Sequence, residues 1–243
     1  MTPEDHQRGG IPLPGSPFPP AGQPPSGRPY PPPGRLEPNW PAQVAVLVAI
    51  ALQLLLPQRV TAGPRWLLPV LEGILLIGLA LASPLELERE HPLRRRMALG
   101  LIVLVSAANI TSLVLLSHEL LNHGVKNGRP LIVSGALIWL TNVLIFGLWY
   151  WETDRGGPGA RAAGRDGPPD LLFSQMNDDR VEPSNWRPQF IDYLYVSLTN
   201  ATAFSPTDTM PLSPMAKGIM GIQSVVSLVT IGLVVARAVN ILN

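Results

Sequence analysis

Five stretches of the chain read as apolar runs bounded by polar or aromatic residues: 41–56, 66–82, 97–117, 130–151 and 218–236. Each comes close to the roughly twenty residues that a helix needs to cross a hydrocarbon core of about 30 Å. The first is flanked by Trp40 and Arg59, the fourth closes on Trp149, Tyr150 and Trp151, and the last is capped by Arg237. Only Glu72, in the second, places a charge inside a run. Lipid offers no hydrogen bonds to a backbone, so segments of this kind must be helical. The ten-residue alternation of a membrane β-barrel is missing. The pattern predicts an all-α integral membrane protein with five transmembrane helices.

The stretch between the fourth and fifth runs is different. Residues 154–170 are rich in Gly, Pro and Arg and predict a solvent loop, after which Leu171, Leu172, Phe173 and Trp186 are candidates to touch the interface. Residues 190–204 are apolar but carry Ser197, Thr199 and Thr202, and Pro206 follows. Fifteen residues of helix reach about 22 Å, too short to cross. A proline then removes a backbone donor and stops the helix. The segment reads as a re-entrant half-helix ahead of the last span. A short spanning helix in a locally thinned bilayer is the alternative.

Composition supports the membrane assignment and removes several chemistries. Hydrophobic residues make up 46% of the chain and charged ones 14%, against about a quarter charged in an ordinary soluble domain. Without cysteine there is no disulfide framework, thiolate metal site, thiol nucleophile or cysteine lipid anchor. A net charge of +1 supplies no field for nucleic acid. Residues 1–39 are dominated by Pro and Gly and cannot bury enough apolar surface to offset ordering entropy. They predict a disordered, partly polyproline II tail, either a plain extension or a docking strand for proline-binding partners.

The run from Tyr195 through Ser197, Thr199, Asn200, Thr202 and Phe204 to Ser205, Pro206, Thr207 and Asp208, then Pro211, Ser213, Pro214 and Lys217, precedes a helix that bears Gly and Gln and ends at Ala236 and Arg237. This order resembles the pore half of bacterial two-helix potassium channels, which have an outer helix, hydroxyl-rich pore helix, filter, Pro-containing turn and inner helix. The whole chain also resembles a group of actinobacterial multi-pass membrane proteins. The resemblance implies a bacterial plasma membrane location and a three-helix bundle over 40–128, followed by a pore-like module over 129–243. Within that module lie an outer helix at 130–151, a loop at 152–187, the half-helix, a turn at 205–214 and an inner helix at 216–240. Thr202 falls at the filter threonine position, Asp208 at the acid after the filter and Lys217 at the start of the inner helix. The pore and filter candidates are therefore Thr202, Ser205, Pro206, Thr207, Asp208 and Thr209. Lipid bilayer, a homotetramer and a monovalent cation are the implied partners, with no cofactor. The chain departs from the resemblance at the filter, where Ser205-Pro206-Thr207 stands in place of Gly-Tyr-Gly. A proline fixed near φ −65° cannot build that carbonyl ladder, so potassium-type selectivity is not expected.

Further polar residues fall inside the apolar runs. Gln223, Ser227 and Thr230 share one face of the last helix, either lining a wet cavity, as the inner-helix register suggests, or packing against a neighbour. Glu72 is a protonatable site, an arginine's partner, or a side chain that reaches the interface. Asn109 and Asn142 sit at mid-membrane as helix–helix glue or as substrate contacts. Catalytic and metal-binding patterns are not expected. His118-Glu119 with His123 misses the zinc-protease spacing, because i and i+5 lie about 140° apart on a helix. No nucleophile elbow, phosphate loop or dinucleotide fingerprint occurs, so an enzyme is not expected. Counting arginines and lysines places the tail inside, whereas pore geometry places it outside. Three readings stay open on sequence: a channel-like protein, a non-conducting scaffold or sensor with a docking tail, and a small transporter that uses Glu72, Asn109 and Asn142.

Overall fold

A computed structural model describes residues 37–61, 63–82, 92–122, 129–162, 167–176, 186–202 and 209–242. Residues 1–36 of the tail expected over 1–39, and the turn residues Ser205, Pro206, Thr207 and Asp208, lie outside the described residues. The fold is mostly helical. Its helices are α1 (Trp40–Leu54), α2 (Leu67–Ala82), α3 (Pro92–Asn122), α4 (Arg129–Thr153), α5 (Pro158–Ala162), α6 (Phe190–Ala201) and α7 (Pro214–Leu242). Two short strands, β1 (Leu171–Phe173) and β2 (Thr209–Pro211), pair antiparallel with Phe173 opposite Thr209. Proline stands at or beside the first residue of α1, α3, α4, α5 and α7. Its fixed φ suits a helix start, where its missing N–H is not needed.

Three segments are long and apolar enough to cross a membrane: Leu93–Leu120 in α3, Pro130–Gly156 in α4 with its continuation, and Pro214–Val239 in α7. The first two expected spans form shorter helices. α1 has 15 residues and α2 has 16, which is about 22–24 Å of rise.

α4 is the centre of the bundle, packing against α1, α3, α6 and α7. One apolar core joins Ala45, Leu101, Ile145, Tyr150, Phe173 and Tyr193 across these elements, and a smaller one joins Val60, Leu116 and Ile138. At Gly147 a Cβ would lie 3.2 Å from the Leu194 backbone, so the missing side chain lets α4 and α6 approach closely. α7 contrasts with α4. Its outer face, including Ile222, Val225, Leu228 and Val235, is exposed and apolar.

The segment after α4 is not the solvent loop expected over 154–170. Asp154, Arg155 and Arg161 are buried, as are Leu171 and Phe173. Arg155 at φ 53° and Gly157 at φ 97° turn the chain sharply after α4. A Cβ on Gly157 would stand 2.9 Å from the Glu152 carbonyl oxygen, so glycine is required there. This turn folds α5 and β1 back over the helix end as a cap. A cluster of hydrogen bonds at buried carboxylates, which composition does not reveal, makes the fold possible.

Candidate functional site

The cap anchors the start of α6. Asp154 accepts hydrogen bonds from the Tyr193 hydroxyl at 2.7 Å and from the Asp170 and Leu171 backbone N–H groups at 2.9 and 3.3 Å. Asp170 reciprocates by accepting the Arg155 N–H at 2.9 Å. Arg161 donates to the Trp151 and Asp154 carbonyls at 2.9 and 2.7 Å, the second shared with the Gly157 N–H, and so helps satisfy the acceptors at the end of α4. Its other edge grips both oxygens of Glu37, at 2.8 and 2.9 Å, and Glu37 also accepts the Trp151 indole N–H at 2.8 Å. Burial pulls the Arg161 guanidinium down, but the Glu37 bond and the neighbouring Tyr193, Glu37 and Asp154 outweigh it and hold the guanidinium above its ordinary value. At the first turn of α6, burial raises the Asp192 carboxyl. That carboxyl accepts the Gln189 N–H at 2.7 Å, which caps the helix start.

Deeper in the bundle, α6 is clamped between α4 and α7 by a closed polar network. Gln223 donates to the Ser197 carbonyl and hydroxyl at 2.9 and 2.7 Å. Its own carbonyl accepts from Asn200 at 2.9 Å and from the Tyr150 hydroxyl. Asn200 also donates to the Met220 carbonyl at 3.0 Å and accepts from Ser224 at 3.1 Å. Ser197 donates to the Val143 carbonyl at 2.6 Å, tying the network to α4. One turn further, Ser227 donates to the Ala201 carbonyl at 2.6 Å and accepts the Trp139 indole N–H at 2.7 Å. Every polar group named here has a partner, as it must where water cannot replace one.

These contacts decide the place of the polar stripe on α7. Gln223, Ser227 and Thr230 are buried inside the chain, and Thr230 bonds its own helix at Val226. The cavity-lining expectation gives way to the packing alternative, because the stripe supplies the partners that α6 needs. Thr202 caps the end of α6 by bonding back to the Leu198 and Thr199 carbonyls at 3.1 and 3.0 Å. Thr209 is buried in the ribbon opposite Phe173. The structure thus brings Thr202, Gln223 and Ser227 to one end of α6 and carries Thr209 to the cap.

Glu72 is fully buried within the protein. Its carboxylate faces the side-chain amide of Gln53, in a contact that falls short of good hydrogen-bond geometry. No arginine partners it among the described residues. Asn109 and Asn142 are also buried, at 3% and 1% exposure. They face a common cavity of about 290 Å³ between α3, α4 and α7. Among the described residues, no group of His, Asp and Glu is arranged to hold a metal ion.

Sequence reading passed over Tyr150, Asp154, Arg161, Tyr193 and Glu37. Tyr150 looked like an interfacial aromatic. The two charged residues of the loop looked solvated, and no local spacing links them to Glu37, more than a hundred residues away. No known protein family, curated protein or solved structure was found to match the chain.

Proposed function

We propose that this is a channel-like, multi-pass protein of the bacterial plasma membrane, with five helices entering the bilayer and α6 re-entering it as a pore-type half-helix. One observation carries the reading. α6 starts at the cap, where Tyr193 meets Asp154. It ends beside Ser227, thirteen residues into α7, about 20 Å from that helix's start. Seven residues after Thr202, Thr209 lies again in the cap ribbon. A chain of that length spans at most about 25 Å. A helix that goes in and a chain that is back at its starting side so soon fit a re-entrant loop. The closed network supports it, because irregular backbone at membrane depth needs surrounding protein.

The likeness of 195–237 to a two-helix pore fits this topology. Its Ser205-Pro206-Thr207 sequence argues for conduction without potassium-type selectivity. Asp208 is the only acid between Tyr193 and Asn243, and the C-terminal dipole end of α6 also favours a cation. In a homotetramer, four such carboxylates would form a cation-attracting ring. The apolar outer face of α7 is then available for subunit contacts.

Purified protein in liposomes, under gradients of different monovalent cations, tests the proposal. Cation flux with little discrimination is expected, and Asp208→Asn is expected to assemble normally but lose preference for cations over anions. No flux under any gradient overturns conduction. One observation favours the second reading, a non-conducting scaffold. The exposed face of α7 from Ile222 to Val239 presents Ile, Val and Leu, a surface that suits an apolar helix of another membrane protein as well as a second copy.

A further inference from the structure

Where α1, α2, α3 and α4 end on the side of the cap, they leave an open slot between them. Gln43 of α1, Arg94 and Arg95 of α3 and Glu152 of α4 line its outer part. All four lie in the first or last turn of their helices. Trp40 and Leu93, at 65% and 63% exposure, open α1 and α3 at the same level, as residues at a membrane interface do. Deeper, the walls are Val46, Leu76 and Leu101. Leu101 is seven residues past Arg94, about 10 Å further into the bundle. The lining thus turns from polar to apolar along the helix direction.

The two arginines are not held by the protein as Arg161 is. No ion pair engages either one among the described residues, and the Arg94 Nε has no hydrogen-bond partner. Arg94 is half-buried and Arg95 exposed, so both bring guanidinium groups to the mouth. Glu152, the one acid in the lining, is 5% exposed and already engaged. The first turn of α3 contains no acid, so the positive end of its dipole adds to the arginines instead of being balanced. The mouth carries a surplus of positive charge.

Shape narrows the choice of anion. The free volume is about 60 Å³, far below the about 300–1,000 Å³ of a pocket that encloses a small molecule. An occupant must therefore lie along the slot, with its charge at the mouth and its apolar part on the wall below. We propose that the slot binds an anionic glycerophospholipid, with its phosphodiester at Arg94 and Arg95 and one acyl chain along Val46, Leu76 and Leu101. Guanidinium forks match phosphate oxygens, and basic pockets between membrane helices are suited to such headgroups. A zwitterionic lipid would bring its ammonium group up to the same arginines and bind less well. The assignment stands independently of conduction, because α6 and α7 take no part in the slot.

Native mass spectrometry of the full-length protein in detergent tests it, by titration with dioleoyl phosphatidylglycerol and, separately, dioleoyl phosphatidylcholine. The anionic lipid should bind saturably, about one per chain, and about tenfold more tightly than the zwitterionic one. Arg94→Gln combined with Arg95→Gln should remove that preference. Arg59→Gln combined with Arg65→Gln removes as much charge beyond the far end of α1 and should leave it intact. Glycerophosphoglycerol, the same head without chains, should not displace the lipid at equal concentration. Should the Arg94 and Arg95 double variant fail to assemble, the lipid comparison and the soluble head still decide on the unaltered protein. Equal affinity for the two lipids, a preference that survives in the double variant, an equal loss in the Arg59 and Arg65 control, or displacement by the soluble head would each overturn the proposal.

Discussion

Gln223 uses both ends of its amide to hold α6, and nothing in a hydrocarbon setting would replace either contact. Gln223→Leu takes one partner each from Asn200, Ser197 and Tyr150 at once. It should lower stability in detergent by about 1–2 kcal/mol, toward the upper end of what a membrane hydrogen-bond network contributes. Thr230→Val, which removes a bond within a single helix, should change it by less than about 0.5 kcal/mol. Thermal unfolding of the two variants side by side checks the contrast, and equal losses would show that the network does not act as a unit. The Glu37–Arg161 pair behaves differently because it is charged. Its side chains are 10% and 4% exposed, so Arg161→Met leaves a nearly buried carboxylate with no counter-charge and only the Trp151 indole as donor, and takes a donor from two helix-end carbonyls. A loss of about 3 kcal/mol is expected. The double variant with Glu37→Gln should recover part of it, which a double-mutant cycle measures.

Among the elements, α4 and α6 depend most on close approach. Gly147→Val places its branched side chain where a single Cβ already comes within 3.2 Å of the Leu194 backbone. The helices must separate, and the Ser197–Val143 bond with them. Assembled protein should fall sharply on size-exclusion chromatography, whereas Gly100→Val, at a position with open space, should be tolerated. The helices themselves were legible in the sequence because lipid imposes one rule, an unbroken apolar run, that single residues reveal. The short, hydroxyl-bearing α6 was legible for the same reason. Its exact partners were not, since the face on which Gln223 and Ser227 lie gives no sign of whether it meets water or protein. The cap escaped notice because Arg161 and Asp154 look like loop charges until Glu37 and Tyr193 are brought beside them. Asn109 and Asn142 were visible as polar residues at mid-membrane, but only the third dimension shows that they face one cavity.

For the molecule as a whole, Glu37 belongs to the fold through its bonds to Arg161 and Trp151. Removing residues 1–36 takes away no apolar run and none of the hydrogen-bonding groups named in the cap, so membrane insertion and oligomer size should be unchanged. Removing Glu37 as well should lower the thermal midpoint, because it strips Arg161 and Trp151 of their shared acceptor. A drop already present on removal of 1–36 would place the start of the fold earlier. The re-entrant path of α6 organises everything else in the account, and the natural lack of cysteine makes it directly measurable. Single cysteines at Gln189, Met210 and Val239, each exposed in the structure, are labelled in sealed, oriented vesicles with a membrane-impermeant maleimide. The account predicts that Gln189→Cys and Met210→Cys react from the same side and Val239→Cys from the other. Reaction of the first two from opposite sides would make α6 a spanning helix and contradict it.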